Sequence, residues 1–228
     1  MTKMKTISEM VWTRKTLSEI EDKKQRRFYV RGTFEQVREL LLLNCKVILV
    51  KRRVKAPFVV DRDNQKVVDQ LVNYAIGSDN FQGNRNLGIL IRGGLGTGKT
   101  TLMKAMLMMF NEQNETMYPD GLIKSIHAKQ LQHMSLEKKV PFFSKRSFFY
   151  DDIGKENIEI KGDYGKVIYP LIDIISEAYE IGTLCFFTTN YTFDTLGKWY
   201  GETTSDRIKE MVNVLSLLGG SRRQETLI

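Results

Sequence analysis

A nine-residue segment in the middle of the chain constrains the fold more than any other feature. Residues 93–101 read Gly-Gly-Leu-Gly-Thr-Gly-Lys-Thr-Thr and fit the pattern G-x-x-x-x-G-K-[ST]. The apolar residues 87–92 predict a buried strand, and residues 101–110 predict a helix. In this arrangement the backbone N–H groups of the loop and of the helix start surround phosphate oxygens. The segment therefore predicts a nucleoside triphosphate site, the alternative being a glycine turn that only happens to precede a helix.

The pattern also gives the polar side chains separate tasks. We expect Lys99 to reach the β- and γ-phosphates and Thr100 to offer its hydroxyl to Mg²⁺. The residues predicted to bind the nucleotide are Gly93, Gly94, Leu95, Gly96, Thr97, Gly98, Lys99, Thr100 and Thr101.

Composition narrows the class of protein. A hydrophobic content of 42% in 228 residues is enough for a real core. No apolar run approaches the roughly 18 residues of a membrane helix, and the lysine-rich start lacks the apolar core of a signal peptide. Cys45 and Cys185 are predicted to be buried reduced thiols, and the cytoplasm is the expected compartment. The net charge of +8 permits a polyanionic partner without naming one.

Strand and helix patterns alternate from residue 58 onward. Beyond the first strand, further strands are predicted at residues 121–128, 147–152, 183–190 and 212–218, and a helix that Gly77 ends precedes them all. Strands separated by helices predict a parallel sheet flanked by helices, with ligand chemistry at the carboxyl ends of the strands.

Two of those strand ends carry polar residues suited to phosphoryl chemistry. Asp151 is predicted to hold Mg²⁺ opposite Thr100, and Asp152 to orient or deprotonate the attacking water. Asn190, at the end of the next strand, is predicted to hold the γ-phosphate or that water. An ordinary acidic turn and an ordinary asparagine turn are the simpler alternatives.

Four segments, taken in order, resemble a known family. They are residues 151–154 (DDIG), 188–190 (TTN), 196–208 (LG-x₃-GE-x₃-DR-I) and 219–223 (G-x-S-x-R). Together with the glycine loop they resemble AAA+ ATPases of the DnaC/DnaI helicase-loader and IstB transposition-helper group, over roughly residues 58–225. The resemblance implies an α/β P-loop NTPase core of AAA+ type that binds ATP and Mg²⁺. It also implies slow ATP hydrolysis that DNA or a partner stimulates, since many relatives have glutamate where this chain has Asp152.

The resemblance assigns roles to two arginines as well. It implies that Arg207 is an arginine finger, offered in trans to the nucleotide of a neighbouring subunit in an oligomer. Arg223 matches the sensor-2 position, with Arg222 as a one-residue alternative, and a surface salt bridge is the simpler reading of either residue. Thr203 stands where the family often has a second arginine.

The amino-terminal region is expected to determine the partner. Residues 1–55 are predicted to form a helical, basic segment, with helices at about 7–27 and from Thr33 to Cys45. Residues 56–228 are predicted to form the ATPase domain. In the family this region meets a replicative DNA helicase or a transposase. We therefore expect a loader of a hexameric helicase onto single-stranded DNA, with a transposition or phage-recombination helper and an ATP-gated adaptor as alternatives. The segment 129–146 is a candidate DNA contact, although a basic loop needs no DNA to explain it.

Overall fold

A parallel β-sheet runs through the computed structural model. The structure describes residues 28–114, 123–133, 140–154, 156, 160–161 and 167–223, so the helix predicted at 7–27 lies outside the described residues. The sheet strands are β1 (Gly88–Gly93), β2 (Lys124–His127), β3 (Phe148–Ile153), β6 (Cys185–Thr189) and β7 (Val212–Leu217). Their order across the sheet is β2-β3-β6-β1-β7, and every pairing is parallel. The predicted strands and the parallel sheet are confirmed. A separate antiparallel pair joins β4 (Ile160–Lys161) to β5 (Val167–Ile168).

Helices cover both faces of this sheet. They are α1 (Phe34–Lys51), α2 (Gln65–Ile76), α3 (Lys99–Asn114), α4 (Val140–Ser144), α5 (Pro170–Ile181), α6 (Phe193–Tyr200) and α7 (Glu202–Met211), with a 3₁₀ segment at Ala128–His133. Gly77 ends α2 in the left-handed conformation, at φ 71°, as its position in the sequence predicts. None of the helices in the described residues is long and apolar enough to cross a membrane.

Alternate side chains of the strands supply two hydrophobic cores, one on each face of the sheet. Ile89 and Ile91 of β1 join the core that α1, α2 and α3 cover. Leu90, between them, joins the opposite core with residues of α5, α6 and α7. The sheet is thus buried on both faces, which explains the nearly continuous apolar runs of its strands.

Helix α1 is part of the first core. Thr33 caps the helix, because its hydroxyl accepts from the Gln36 backbone N–H at 3.3 Å while the Gln36 side chain accepts from the Thr33 N–H. The helix buries Val37, Leu41, Cys45 and Ile48 against α2 and α3, and the Asn44 amide donates to the Ala105 carbonyl oxygen at 3.3 Å. It also continues to Lys51, six residues beyond the predicted end at Cys45. Residues 34–51 therefore share a core with the ATPase elements, and the partner-binding role of residues 1–55 stays a prediction.

Truncating the buried face of α1 tests this packing. We expect Leu41→Ala to lower the free energy of unfolding by about 3 kcal/mol, because it leaves a cavity in a fully buried site. Leu43→Ala is the matched control, since Leu43 lies on the same helix and is 53% exposed. It should change that free energy by less than about 0.5 kcal/mol. Denaturant unfolding of both variants measures the difference, and equal effects would contradict the packing of α1 in the core.

Candidate nucleotide-binding site

The glycine loop connects β1 to α3 at the carboxyl edge of the sheet. The Lys99 ammonium group donates to the carbonyl oxygens of Gly93 and Gly94 at 2.9 and 2.6 Å, and its side chain is buried. The Thr97 hydroxyl donates to the Gly94 carbonyl oxygen at 3.0 Å. These bonds hold the loop in a closed turn, with the lysine cation directed along the inside of the loop.

Glycine is required at two positions of this loop. Gly96 and Gly98 have φ angles of 75° and 99°, in the region that disfavours side chains. A Cβ at Gly96 would also lie 2.2 Å from the Ser221 hydroxyl oxygen, so the carboxyl-terminal segment packs directly on the loop. The Arg222 backbone N–H donates to the Gly96 carbonyl oxygen at 3.0 Å and fixes this contact.

A cavity of about 350 Å³ opens beside the loop. Among the predicted nucleotide and catalytic residues, it is lined by Leu95, Gly96, Gly98, Lys99, Thr100, Thr101, Asp152, Asn190 and Arg223. Gly93, Gly94 and Thr97 do not line it and instead make the hydrogen bonds that shape the loop. The structure thus brings most of the predicted residues to one cavity of a size suited to a small ligand.

The predicted metal ligands are in direct contact. The Thr100 hydroxyl donates to Asp151 Oδ1 at 2.7 Å and so links the start of α3 to β3. A hydroxyl and a carboxylate are the oxygen donors that Mg²⁺ takes in phosphate sites. Asp151 is buried and does not line the cavity, so Thr100 lies between it and the ligand space. This donor set fits Mg²⁺ bound together with a nucleotide.

The second acidic residue has an unusual backbone. Asp152 has a φ of 60°, within strand β3, where a non-glycine residue pays a steric cost. The strand pairing is irregular at this point, since Tyr150 pairs with Phe187 and Ile153 pairs with Thr189. Asp152 lines the cavity, and its carboxylate lies 3.7 Å from His127 Nε2 at the end of β2. The sequence pattern did not predict this pairing with His127.

Asn190 follows β6 and faces the same cavity. Its side-chain Oδ1 is buried and has no hydrogen-bond partner among the described residues. An unpaired buried amide oxygen is costly unless a ligand or water satisfies it. The position therefore agrees with the contact predicted for Asn190 with a bound phosphate or water.

A second wall of the cavity comes from residues 49–59, for which the sequence pattern predicted no ligand contact. It is lined by Leu49, Arg52, Val54, Ala56, Pro57, Phe58 and Val59. These side chains are mostly apolar, as suits a nucleobase, whereas Lys99 and the loop N–H groups suit phosphates. The apolar run Ala56–Val59 was the only sequence feature that could have predicted this wall. A short apolar run of this kind does not distinguish a ligand contact from ordinary core packing.

Arg222 ties this wall to the carboxyl-terminal segment. Its two guanidinium N–H groups donate to the two Asp61 carboxylate oxygens, each at 2.8 Å, and one of them also approaches the Val59 carbonyl oxygen at 3.4 Å. The Arg222 hydrogen bonds lower the pKa of Asp61 to about 2. Arg223 is exposed and lines the cavity without an ion pair of this kind in the described residues. Arg222 also lines the cavity, but its guanidinium is paired with Asp61, so the geometry favours Arg223 as the arginine that meets a phosphate.

Arg207 lies away from the cavity that its own chain forms. It is on α7, with Nη2 3.5 Å from a Glu180 carboxylate oxygen and its guanidinium 5.3 Å from the centre of the Tyr179 ring. A residue that acts on the nucleotide of a neighbouring subunit need not approach its own site. Its role as an arginine finger stays a prediction.

The candidate DNA segment is described only in part. Residues 134–139 lie outside the described residues. In the described portion, residues 140–144 form helix α4 in place of a loop, and the Arg146 guanidinium lies 4.8 Å from the centre of the half-exposed Phe142 ring. Contact with DNA stays a prediction.

The left-handed backbone at Asp152 can be tested by comparing two variants that both lack the carboxylate. We expect Asp152→Gly to be more stable than Asp152→Ala by about 1 kcal/mol, because only alanine carries a Cβ into this conformation. Denaturant unfolding measures the difference. In an ordinary extended strand the glycine variant would be less stable than the alanine variant. An Asp152→Gly variant less stable than Asp152→Ala would therefore contradict the left-handed conformation.

Comparison with solved structures places this geometry among known folds. The chain is similar to the structure of the DnaC helicase loader, with 20% identity and a TM-score of 0.53 over 71% of this chain and 93% of that one. It is similar to the structure of DnaI, with 18% identity and a TM-score of 0.51 over 73% and 87% of the two chains. It is also similar to a putative primosome component from Streptococcus pyogenes serotype M3, with 18% identity and a TM-score of 0.54 over 73% and 85%.

A scan of protein-family models finds no match, and a search of curated proteins finds none either. At 18–20% identity the structural matches establish the fold. The chain therefore shares the α/β fold of the DnaC and DnaI structures, with its parallel sheet flanked by helices.

Proposed function

We propose that this protein is an ATPase that loads a hexameric replicative DNA helicase onto single-stranded DNA. The observation that carries the proposal is the coincidence of two findings. The fold resembles that of the DnaC helicase loader over 93% of the loader's chain, and the cavity is lined by several of the side chains predicted to bind and hydrolyse ATP. A replication role of this kind belongs in the cytoplasm.

The nucleotide in this proposal is ATP, bound with Mg²⁺. The apolar wall around Phe58 takes the base, and the glycine loop with Lys99 takes the phosphates. Thr100 and Asp151 would hold Mg²⁺, which would supply positive charge to neutralise the phosphates. Asp152 orients the attacking water and accepts its proton, and Asn190 holds the γ-phosphate or the water through its side-chain amide.

Two arginines complete the proposed chemistry. Arg223 reaches the phosphates from the carboxyl-terminal segment of the same chain, since it lines the cavity. Arg207 acts in trans, so that hydrolysis depends on an oligomer whose subunits meet at the nucleotide. A planar guanidinium beside the γ-phosphate stabilises the charge that develops during transfer.

The partner contacts are proposed for the amino-terminal part of the chain. Because α1 packs in the core, we assign helicase binding chiefly to residues 1–27 and the exposed side of α1, within the predicted segment 1–55. Single-stranded DNA is assigned to the basic and aromatic residues of 129–146, where Lys145, Arg146 and Phe142 are exposed in the described part.

An ATP-gated adaptor with little hydrolysis is a second candidate, and one observation favours it. Asp152 carries a shorter side chain than glutamate and sits in a strained backbone conformation, at φ 60°. A switch of this kind would bind ATP and hold its partner without turnover.

Capture of the partner tests the loader function. With ATP and Mg²⁺, the intact chain should retain a replicative helicase, and a chain lacking residues 1–27 should not, while both bind ATP equally. The deletion stops at residue 27 because removing α1 would expose the core. A transposase in place of the helicase would favour the helper alternative, and loss of ATP binding in the shortened chain would contradict the proposed division of tasks.

Mixing two inactive variants tests the trans arginine. Arg207→Ala should bind ATP but lose about 10³-fold or more in kcat, because the finger is absent from the neighbouring site. Lys99→Ala should fail to bind ATP but still present Arg207. An equimolar mixture should recover part of the wild-type rate, because some interfaces then pair an intact Lys99 with an intact Arg207. A mixture that stays inactive, or full activity of Arg207→Ala alone, would contradict action in trans.

A further inference from the structure

One buried hydroxyl contacts both acidic residues of the candidate site. On β6, Thr188 stands between Phe187, which pairs with Tyr150, and Thr189, which pairs with Ile153. On β3 two residues, Asp151 and Asp152, occupy the same interval. Two residues therefore oppose one, which is the geometry of a β-bulge.

The hydrogen bonds of Thr188 follow from this register. Its hydroxyl donates to Asp151 Oδ1 at 2.6 Å and accepts from the Asp152 backbone N–H at 2.9 Å. The side chain is completely buried, at 0% exposure. A single hydroxyl thus fixes the carboxylate of the first acidic residue and the peptide of the second.

The bond to Asp152 explains how its backbone conformation persists. A residue at φ 60° costs free energy and is kept only where its surroundings determine it. The Thr188 hydroxyl supplies an acceptor for the Asp152 N–H, which the bulge has removed from the regular strand ladder. Bulges beside active sites commonly redirect a side chain, and here the redirected residue lines the cavity.

The bond to Asp151 differs from the one that Thr100 makes. Thr100 lines the cavity and is accessible to a ligand there. Thr188 is buried on β6, the strand between β3 and β1, and does not line the cavity. Thr188 can therefore keep Asp151 oriented whether or not a ligand draws Thr100 away.

We propose that Thr188 is a positioning residue that sets both acidic groups of the site, orienting Asp151 toward Mg²⁺ and holding Asp152 in the conformation that presents its carboxylate to water. The proposal rests on the ATP and Mg²⁺ site of the proposed function and deepens it. It does not depend on which partner the protein binds.

The neighbouring Thr189 provides a matched control. It is also completely buried, and its hydroxyl donates to the Ile153 carbonyl oxygen at 2.9 Å and accepts from the Tyr191 N–H at 3.2 Å. Its bonds go to backbone groups outside the acidic pair. Thr189→Val therefore reports what losing a buried hydroxyl of this strand does to the structure alone.

The test uses the full chain and the variants Thr188→Val, Thr188→Ser and Thr189→Val. Binding of a fluorescent, non-hydrolysable ATP analogue is titrated with Mg²⁺ and repeated with EDTA in its place. Thr188→Val should need roughly 10- to 100-fold more Mg²⁺ than the wild type to reach half of the Mg²⁺-dependent increase in analogue binding. Its kcat for ATP hydrolysis should fall by a similar factor, about 10- to 100-fold. Its KM for ATP should change less than about 3-fold. Thr188→Ser should restore both, because serine keeps the hydroxyl. Thr189→Val should keep the wild-type Mg²⁺ dependence, even where its melting temperature falls as far as that of Thr188→Val.

Three results would overturn the positioning role of Thr188. An unchanged Mg²⁺ dependence in Thr188→Val, or binding equally weakened with EDTA and with Mg²⁺, would overturn the positioning role. A wild-type chain that shows no Mg²⁺-dependent binding would overturn it as well. A failure of the proposed function can be told apart from a failure of this inference. If the protein has no ATP turnover or no helicase partner, the Mg²⁺ titration of analogue binding can still be measured.

Discussion

The hydrogen bonds that Asp151 accepts at the carboxyl edge of the sheet connect the parts on which the site depends. Thr100 donates to it from the start of α3, and Thr188 donates to it from β6. Both bonds end on the same oxygen, Oδ1, so that β3, β6 and the start of α3 meet at one carboxylate. The contacts form only when the glycine loop, the bulge in β3 and the end of β6 are correctly placed relative to one another. A buried carboxylate without such donors would be unfavourable, so these two hydrogen bonds favour the folded arrangement.

The opposite side of the cavity depends on another interaction between distant parts of the chain. Asp61 and Arg222 pair through two hydrogen bonds of 2.8 Å, although 161 residues separate them. Arg222 also bonds the glycine loop through its backbone N–H, and Asn64 bonds the Val59 carbonyl oxygen through its amide at 2.8 Å. This side of the cavity is therefore built by segments that meet only in the folded chain. Through these bonds the carboxyl-terminal segment contacts both the glycine loop and the apolar wall of the cavity.

Much of the fold could be predicted because its signals are local. The apolar strands at 88–93, 148–153 and 212–217 and the helix ended by Gly77 lie close to their predicted bounds. Helix α1 was predicted too short, because its apolar residues continue past Cys45 through Val47–Val50, up to the basic stretch that begins at Lys51. The domain boundary at residue 55 stays a prediction, and helix α1, on its amino-terminal side, packs in the core beside α3. Charge patterns describe exposed faces and carry little information about what the other face of a helix contacts.

The sequence by itself determined the loop chemistry, the parallel sheet and the residues at two strand ends, since each follows from a pattern of neighbouring residues. Only the tertiary structure decided which side chains form the apolar wall of the cavity, that Arg222 and not Arg223 pairs with Asp61, and that Asp152 lies at a bulge beside Thr188. Strand register and contacts between distant segments depend on how whole elements pack, and the same residues are compatible with several registers until that packing is complete. A threonine that orients two carboxylates and a threonine that bonds only backbone have the same appearance in the sequence.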